Sequence, residues 1–440
     1  MRRARWLSVV IAMALGATYL ASTGAGAQEE EAPEATEVGI TEDEIRIAVI
    51  ADVENAAAPG LFKGSVDAVK GWAKFINKNG GLAGRDVKID FFDSQLSPDE
   101  ARNAVIQACE DSFALVGTSA LFLSNVTDLA GCPDMAGDPT GLPDIAVVAT
   151  EVDQQCNPTT YGVNPPQILC DTRSESPQTY QANAGRYYYY EKELGDDLHG
   201  AYIYTSDLKS ANNANRATMG GMIDLGIEAD TEVDISARAP QAQYTPIVQT
   251  LKDEGSNYAQ SGSAFNSTVA LRKEAALQGV NDPDFIWDCT LQCYDQRLIE
   301  QGGADVEDQY VSLLFLPFEE ADTTKSLRQF LKFTGRDKAD GFGIQAWAGA
   351  MLLKEAVDNV VAESGVNGVT RAAVLEQLGQ INDFDAGGML ATTNIGERTT
   401  SPCYVLMQVQ DGEFVRIFPK KEGTFDCKER NVVNLELNLL

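Results

Sequence analysis

The sequence predicts a two-lobed α/β protein with a parallel sheet in each lobe. Strand-like apolar runs alternate with amphipathic helical stretches over residues 45–149, and the alternation restarts at residue 201 and continues to residue 287. Strand–helix–strand order is the pattern of a parallel sheet covered by helices, and two such series argue for two lobes. With 440 residues, 44% of them apolar, the chain is long enough to fill two cores.

Taken in order, the chain begins with a basic head of Arg2, Arg3 and Arg5. An apolar run from Trp6 to Leu20 follows, then the small-residue site Ala25-Gly26-Ala27. This is the layout of a secretory signal peptide cleaved after Ala27. The run is shorter than the roughly 20 residues a membrane span needs. No cysteine sits at the cleavage point and no later stretch is suited to a bilayer. The mature chain is therefore expected as a soluble exported protein, in a periplasm, in the cell envelope or outside the cell. Residues 28–43 are acidic and without apolar periodicity, which predicts a flexible spacer.

Regular structure is expected from Ile45 to Ile50, a run suited to a buried strand. Phe62, Val66, Val69, Ala73 and Ile76 form the stripe of a helix that ends at Asn79-Gly80-Gly81. Val87, Ile89 and Phe91 alternate as a strand does. Ser97-Pro98-Asp99-Glu100 is a capping box opening a helix that runs to about Cys109. Strands are predicted at Phe113–Val116 and Ile145–Ala149. In the second series, strands fall at Ala201–Tyr204, near Val233 and at Phe285–Trp287. Helices end near Gly226 and cover about Tyr244–Lys252 and Ser267–Gln278. Beyond Leu313 the chain turns helical, including Ile344–Val361. It closes on Cys403–Gln410 and Glu413–Phe418, joined by Asp411-Gly412, the strongest short hairpin signal.

All eight cysteines lie in the mature part, an even number suited to an oxidising compartment. Eight cysteines allow 105 connectivities. The expected pairing joins neighbours: Cys109 with Cys132, Cys156 with Cys170, Cys289 with Cys293, and Cys403 with Cys427. A zinc site at Cys289-x-x-x-Cys293 is the rival, and it lacks a second ligand pair at suitable spacing.

Lys and Arg number 34 against 65 Asp and Glu, a formal net charge of −31 that becomes −34 when the three signal-peptide arginines are removed. Such a field repels phosphate backbones and argues against nucleic acid as a partner. His199 is the only histidine, so a nucleophilic triad has one possible base, and no G-x-S-x-G elbow accompanies it. Neither a P-loop nor a His-rich metal motif is present, and no cofactor is expected. A secreted hydrolase built on paired carboxylates is the least favoured alternative.

Asn77-Lys78-Asn79-Gly80-Gly81-Leu82-Ala83-Gly84-Arg85, followed by Asp93, Pro98 and Ala101, is specific enough to compare with known families. With Phe113–Gly117, Pro143-Asp144-Ile145, the helix Ala346–Leu352 and the closing Gln408–Val415, it resembles the Leu/Ile/Val-binding family of type I periplasmic binding proteins, over roughly residues 44–420. The resemblance implies two lobes joined by three crossing strands, near residues 170, 315 and 388. The first lobe is then 44–170 plus 315–387 and the second 171–314 plus 388–440. It further implies an amino acid or related carboxylate or amide held between the lobes, a monomer, and delivery to the permease of an ABC-type importer. A ligand sensor of the same fold is the alternative. Receptors of that kind normally carry a span or signalling domain.

Ligands of such folds sit at the carboxyl ends of strands, beside helix amino termini. Thr118, Ser119 and Ala120 past the third strand, and Thr150 past the fourth, fall where the family holds a ligand carboxylate. In the second lobe the family often places an aromatic residue after the strand ending near Thr205. Here Ser206–Ser210 has none, and Ser210 is the polar contact expected instead. Phe265 falls at another common contact of the family, where it is expected to stack on ligand or else to pack. The family's acid for a ligand ammonium falls at Asp288 or Asp295, with Tyr294 beside it. The four tyrosines 187–190 point all around a helix and are expected to pack partly against the second lobe.

Overall fold

The computed structural model describes residues 32–55, 58–164, 168–195, 198–205, 209–236, 239–262, 264–280, 282 and 284–438. Residues 1–27, where a signal peptide is expected, and Ser206–Leu208 lie outside the described residues.

The first sheet is built from β1 (Glu44–Ala51), β2 (Asp86–Asp93), β3 (Ala114–Ser119), β4 (Asp144–Val148) and β5 (Thr160–Gly162). Its order is β2-β1-β3-β4-β5, parallel throughout. Between the strands run α1 (Lys63–Asn77), α2 (Pro98–Asp111), α3 (Thr127–Ala130) and α4 (Val152–Gln155). The predicted stripe along α1 is the buried one: Phe62, Val66, Val69, Ala73 and Ile76 are 0–6% exposed, and Trp72, outside the predicted set, is buried beside them. Each of the Phe, Val and Ile side chains contributes about 1.5–3 kcal/mol on burial. At α2, Ser97 Oγ accepts the Glu100 N–H at 3.3 Å, the N-cap half of the predicted box, while the Ser97 N–H donates to the Ser94 carbonyl at 2.8 Å.

After β5 the chain enters a second lobe. It contains β6 (Gln178–Asn183), α5 (Gly185–Leu194), β7 (His199–Thr205), α6 (Lys209–Asp224), β8 (Glu228–Ile235) and α7 (Thr245–Glu254). Then come β9 (Tyr258–Ser261), α8 (Phe265–Gln278), β10 (Ile286–Cys289), α9 (Gln296–Gly302) and β11 (Gln309–Leu313). Past β11 the chain returns to the first lobe through Phe315, which bridges Leu390. There α10 (Lys325–Thr334), α11 (Gly341–Ser364) and α12 (Arg371–Gln380) follow. α11 packs on α1 and β3 with Trp347 1% exposed at its centre.

The last crossing delivers β12 (Cys403–Gln410), β13 (Glu413–Phe418), β14 (Asp426–Cys427) and β15 (Val432–Leu437). The second sheet has the order β13-β12-β11-β10-β9-β7-β8, with β14 on β12, while β15 pairs with β6. Asp411 and Gly412 at φ 53° and 74° make the tight hairpin between β12 and β13.

Two segments differ from expectation. Residues 388–398, assigned by resemblance to the second lobe, pack on the first: Phe384 bridges Thr393, and Arg398 donates to the Asn157 carbonyl at 2.9 Å. The described part of the supposed spacer is tied down as well. Glu37 and Ile40 are 4% and 3% exposed, and the Glu37 carboxylate accepts N–H groups from Met135 and Arg371. Its acidity is spent on those buried amides, so charge here does not mean freedom. The four disulfides join the neighbouring cysteines, which takes Cys289 and Cys293 out of any zinc site. Among the described residues no helix is long and apolar enough to cross a membrane.

Candidate ligand-binding site

A cleft of about 730 Å³ opens between the two lobes. The first lobe lines it with the ends of β4 and β5, with Leu121 and Phe122 beyond β3, and with the start of α11. The second lobe adds the turns after β9 and β10, and Arg186 and Asn215 from its helices. These are carboxyl ends of strands, where side chains and backbone donors are free of the sheet ladder. Most of the wall is apolar: Leu61, Phe62, Phe122, Val148, Phe265 and Phe342 face it. Among them stand amide side chains, including Asn164, Asn183 and Gln292.

Four of the eight residues expected at the site border the cleft. Thr150 does, its hydroxyl 3.4 Å from the Leu121 carbonyl. Phe265 does, with the Arg297 guanidinium 4.7 Å from its ring centre. Tyr294 and Asp295 do as well. The Tyr294 hydroxyl is already engaged, donating to Glu319 at 2.6 Å and accepting the Phe318 N–H at 2.6 Å. Its ring is wedged among Phe315, Phe318 and Phe414, so it serves as wall rather than as a free polar contact. Burial pushes its phenol well above the ordinary tyrosine range.

Thr118, Ser119 and Ala120 lie elsewhere. Gly117 adopts φ +77°, and the β3–β4 register shifts on either side of Thr118. Both hydroxyl residues are thereby fully buried. Thr118 donates to the Asp144 carboxylate at 2.6 Å, and the Ser119 hydroxyl meets that of Ser65 at 2.9 Å. Ala120 packs in the core beneath α2. The carboxylate of Asp52 lies next to this stretch. Asp52 accepts N–H groups of Leu96 and Leu121, each at 2.8 Å, and the Ser94 hydroxyl at 2.7 Å. Burial raises the Asp52 pKa in spite of these bonds. Ser210 is the second residue of α6, and its side chain lies outside the described residues.

Asp288, one of the two acids considered for a ligand ammonium, is consumed internally. It pairs with Arg186 at 2.8 Å and accepts hydroxyls of Tyr190 and Tyr258. Tyr187 and Tyr190 are buried in this network, while Tyr188 and Tyr189 are half-buried. His199 sits at the start of β7, away from the cleft, with Nδ1 2.7 Å from Asp230.

Arg186, Arg297 and Asp340 also border the cleft and were not foreseen. Asp340 caps α11, its carboxylate accepting the Gly343 N–H at 2.7 Å. Burial, and to a smaller extent the negative Asp295 nearby, push its pKa up to about 6, against the pull of Gly343 and Arg297. Arg297 grips Asp295 with Nη2 at 2.6 Å, a bond that raises the guanidinium pKa further. Asp before the apolar stretch of α11 is an ordinary N-cap signal. Nothing in the linear chain, however, says that this cap faces Asp295 and Arg297.

A family model described as periplasmic binding protein matches residues 44–413. Among solved structures, a fatty acid ABC transporter substrate-binding protein from Thermomonospora curvata superposes with a TM-score of 0.69 at 16% identity, covering 90% of this chain and 95% of its own. An ABC transporter substrate-binding protein from Aeropyrum pernix gives 0.68 at 16% identity, covering 88% and 97%. A leucine-binding protein from Thermotoga maritima gives 0.64 at 15% identity, covering 85% and 97%. No curated protein sequence matches the chain.

Proposed function

This chain belongs to the periplasmic binding protein family, and from that premise we propose that it captures a small solute outside the cytoplasm for an ABC-type importer. The supporting observation is the cleft itself, whose walls come from both lobes and are apolar with interspersed amides. A volume of about 730 Å³ is within the usual range for small-molecule sites. It is generous for an amino acid. The ligand we favour is a small carboxylate or amide with a sizeable apolar body, of which amino acids are one subclass.

Three structural relatives support that breadth by the ligands they are known with: leucine, a fatty acid, and 3,4-dihydroxybenzoic acid. The last, from Rhodopseudomonas palustris, is 13% identical with a TM-score of 0.64, and covers 85% of this chain and 96% of its own. Export through the signal peptide, cleavage after Ala27, action as a monomer and division into lobes near residues 170 and 315, with the last crossing after Arg398, belong to the same reading. Thr150, Phe265 and Asp295 are the residues from the sequence-based set that we place against ligand.

Capture is a population shift. A ligand that touches both lobes only when the cleft is shut favours the closed form by its differential affinity, and the permease reads that form. The deciding experiment is a thermal-shift screen of amino acids, fatty acids, aromatic acids and their amides. A ligand at 100 times its Kd adds about 2.7 kcal/mol, several degrees in Tm. A screen in which no compound of these classes moves Tm refutes the ligand class. The alternative, sensing, predicts that the liganded protein fails to stimulate any ABC permease.

A further inference from the structure

We propose that the Cys289–Cys293 disulfide sets a ligand-facing turn, and that its role is capture of ligand more than stability of the fold. The proposal rests on the reading of the interlobe cleft as the binding site. β10 delivers the chain to the cleft at Cys289 and the bond recovers it at Cys293. All three residues between them, Thr290, Leu291 and Gln292, border the cleft.

The same turn reaches the opposite lobe. The Leu291 carbonyl lies 2.8 Å from the point where a Cβ on Gly341 would stand. Only a glycine at the first position of α11 permits that approach. Behind the turn both cysteines are fully buried, and the Thr268 hydroxyl of α8 is 3.3 Å from the Cys293 sulfur. Within it, the Thr290 hydroxyl bonds the Gln292 side chain, whose amide nitrogen is 3.5 Å from the Ser261 carbonyl of β9. The turn is thus anchored to β9, β10 and α8 and presses on α11.

The size of the loop says what the bond is for. Its cysteines are 4 residues apart, against 14, 23 and 24 in the other three pairs. Loop-closure entropy grows with loop length, so this bond restrains the unfolded chain least. In the folded state it freezes three residues that ligand would otherwise have to order on binding, a cost that pre-organisation removes. What the turn presents is uncharged: a hydroxyl, an amide and an isobutyl group. It therefore reads the ligand's neutral, partly apolar body, and charge recognition is left to other walls.

The test compares Cys289→Ser/Cys293→Ser with Cys109→Ser/Cys132→Ser, which opens a larger loop away from the cleft. Calorimetry with L-leucine, octanoate and 3,4-dihydroxybenzoate measures affinity, thermal unfolding measures stability, and hydrogen exchange of the ligand-free proteins follows residues 289–295 and 341–345. We expect at least tenfold weaker binding in the first variant, a smaller fall in Tm than in the second, and faster exchange in both segments. Affinity within twofold of wild type, or a Tm loss exceeding that of the control, overturns the proposal. Should no probe bind the wild-type protein, the ligand reading fails for these classes. Exchange then decides alone: faster exchange at 341–345 supports the turn's hold on the first lobe, and unchanged exchange there overturns it.

Discussion

Asp340→Asn isolates a charge from the backbone feature it accompanies. Asn caps a helix as well as Asp does, so the bond to the Gly343 N–H survives while the carboxylate is removed. That carboxylate is held with its pKa at about 6, against an ordinary 3.8. A difference of roughly two units at 1.36 kcal/mol each sets a ceiling near 3 kcal/mol. The residue borders the open cleft and is only partly buried as a whole, so solvent screening lowers the expectation to about 1–2 kcal/mol. The sign follows from linkage. A folded-state pKa above the unfolded one means that the folded form binds the proton more tightly. Ionisation therefore costs nothing below about pH 4, removes stability as pH rises to about 6, and holds it at that reduced level above. Urea unfolding at pH 7.5 should show the Asn variant more stable by that amount, and at pH 4 the two proteins should coincide. Destabilisation at pH 7.5, or an equal gain at both pH values, would refute the assignment of the charge penalty to Asp340.

Two other substitutions probe the frame around the cleft. Arg416 of β13 grips Glu320 beside α10 with Nη2 at 2.7 Å, and the side chains are 6% and 4% exposed. Arg416→Leu leaves a buried carboxylate uncompensated and should cost about 3–5 kcal/mol in chemical denaturation; a loss under about 1 kcal/mol would show that water reaches Glu320. Thr118→Val removes one donor to the buried Asp144. It should cost about 1–2 kcal/mol and leave calorimetric affinity unchanged, whereas a tenfold fall in affinity without a stability loss would return Thr118 to the ligand site.

Signals confined to a few neighbouring residues were the legible ones. The Ser97–Glu100 capping box and the Asp411-Gly412 hairpin specify their own geometry, so nothing distant overrides them. Strands made of polar residues were harder. Tyr258–Ser261 (YAQS) is assigned no element from sequence, yet it is the buried β9, because the Tyr258 hydroxyl and Gln260 are satisfied inside the Arg186–Asp288–Tyr187 network. A hydrophobicity pattern has no means of recording that compensation. At the site, Thr150 was legible because a strand end faces the cleft whatever the details. Thr118 and Ser119 were misplaced by one structural event, the positive φ of Gly117. A slip of a single residue turns each side chain to the opposite face of a strand. Arg186 and Asp340 are ordinary in sequence and acquire meaning only when residues some 150 positions apart face one cleft. The division has a physical reason. Lobes are built from local periodicity, whereas the cleft is assembled from short stretches at strand ends and helix starts of both lobes, far apart in the chain. The periodicity that builds the lobes outlasts most of the individual residues, as structures that superpose on this chain at 13–16% identity illustrate.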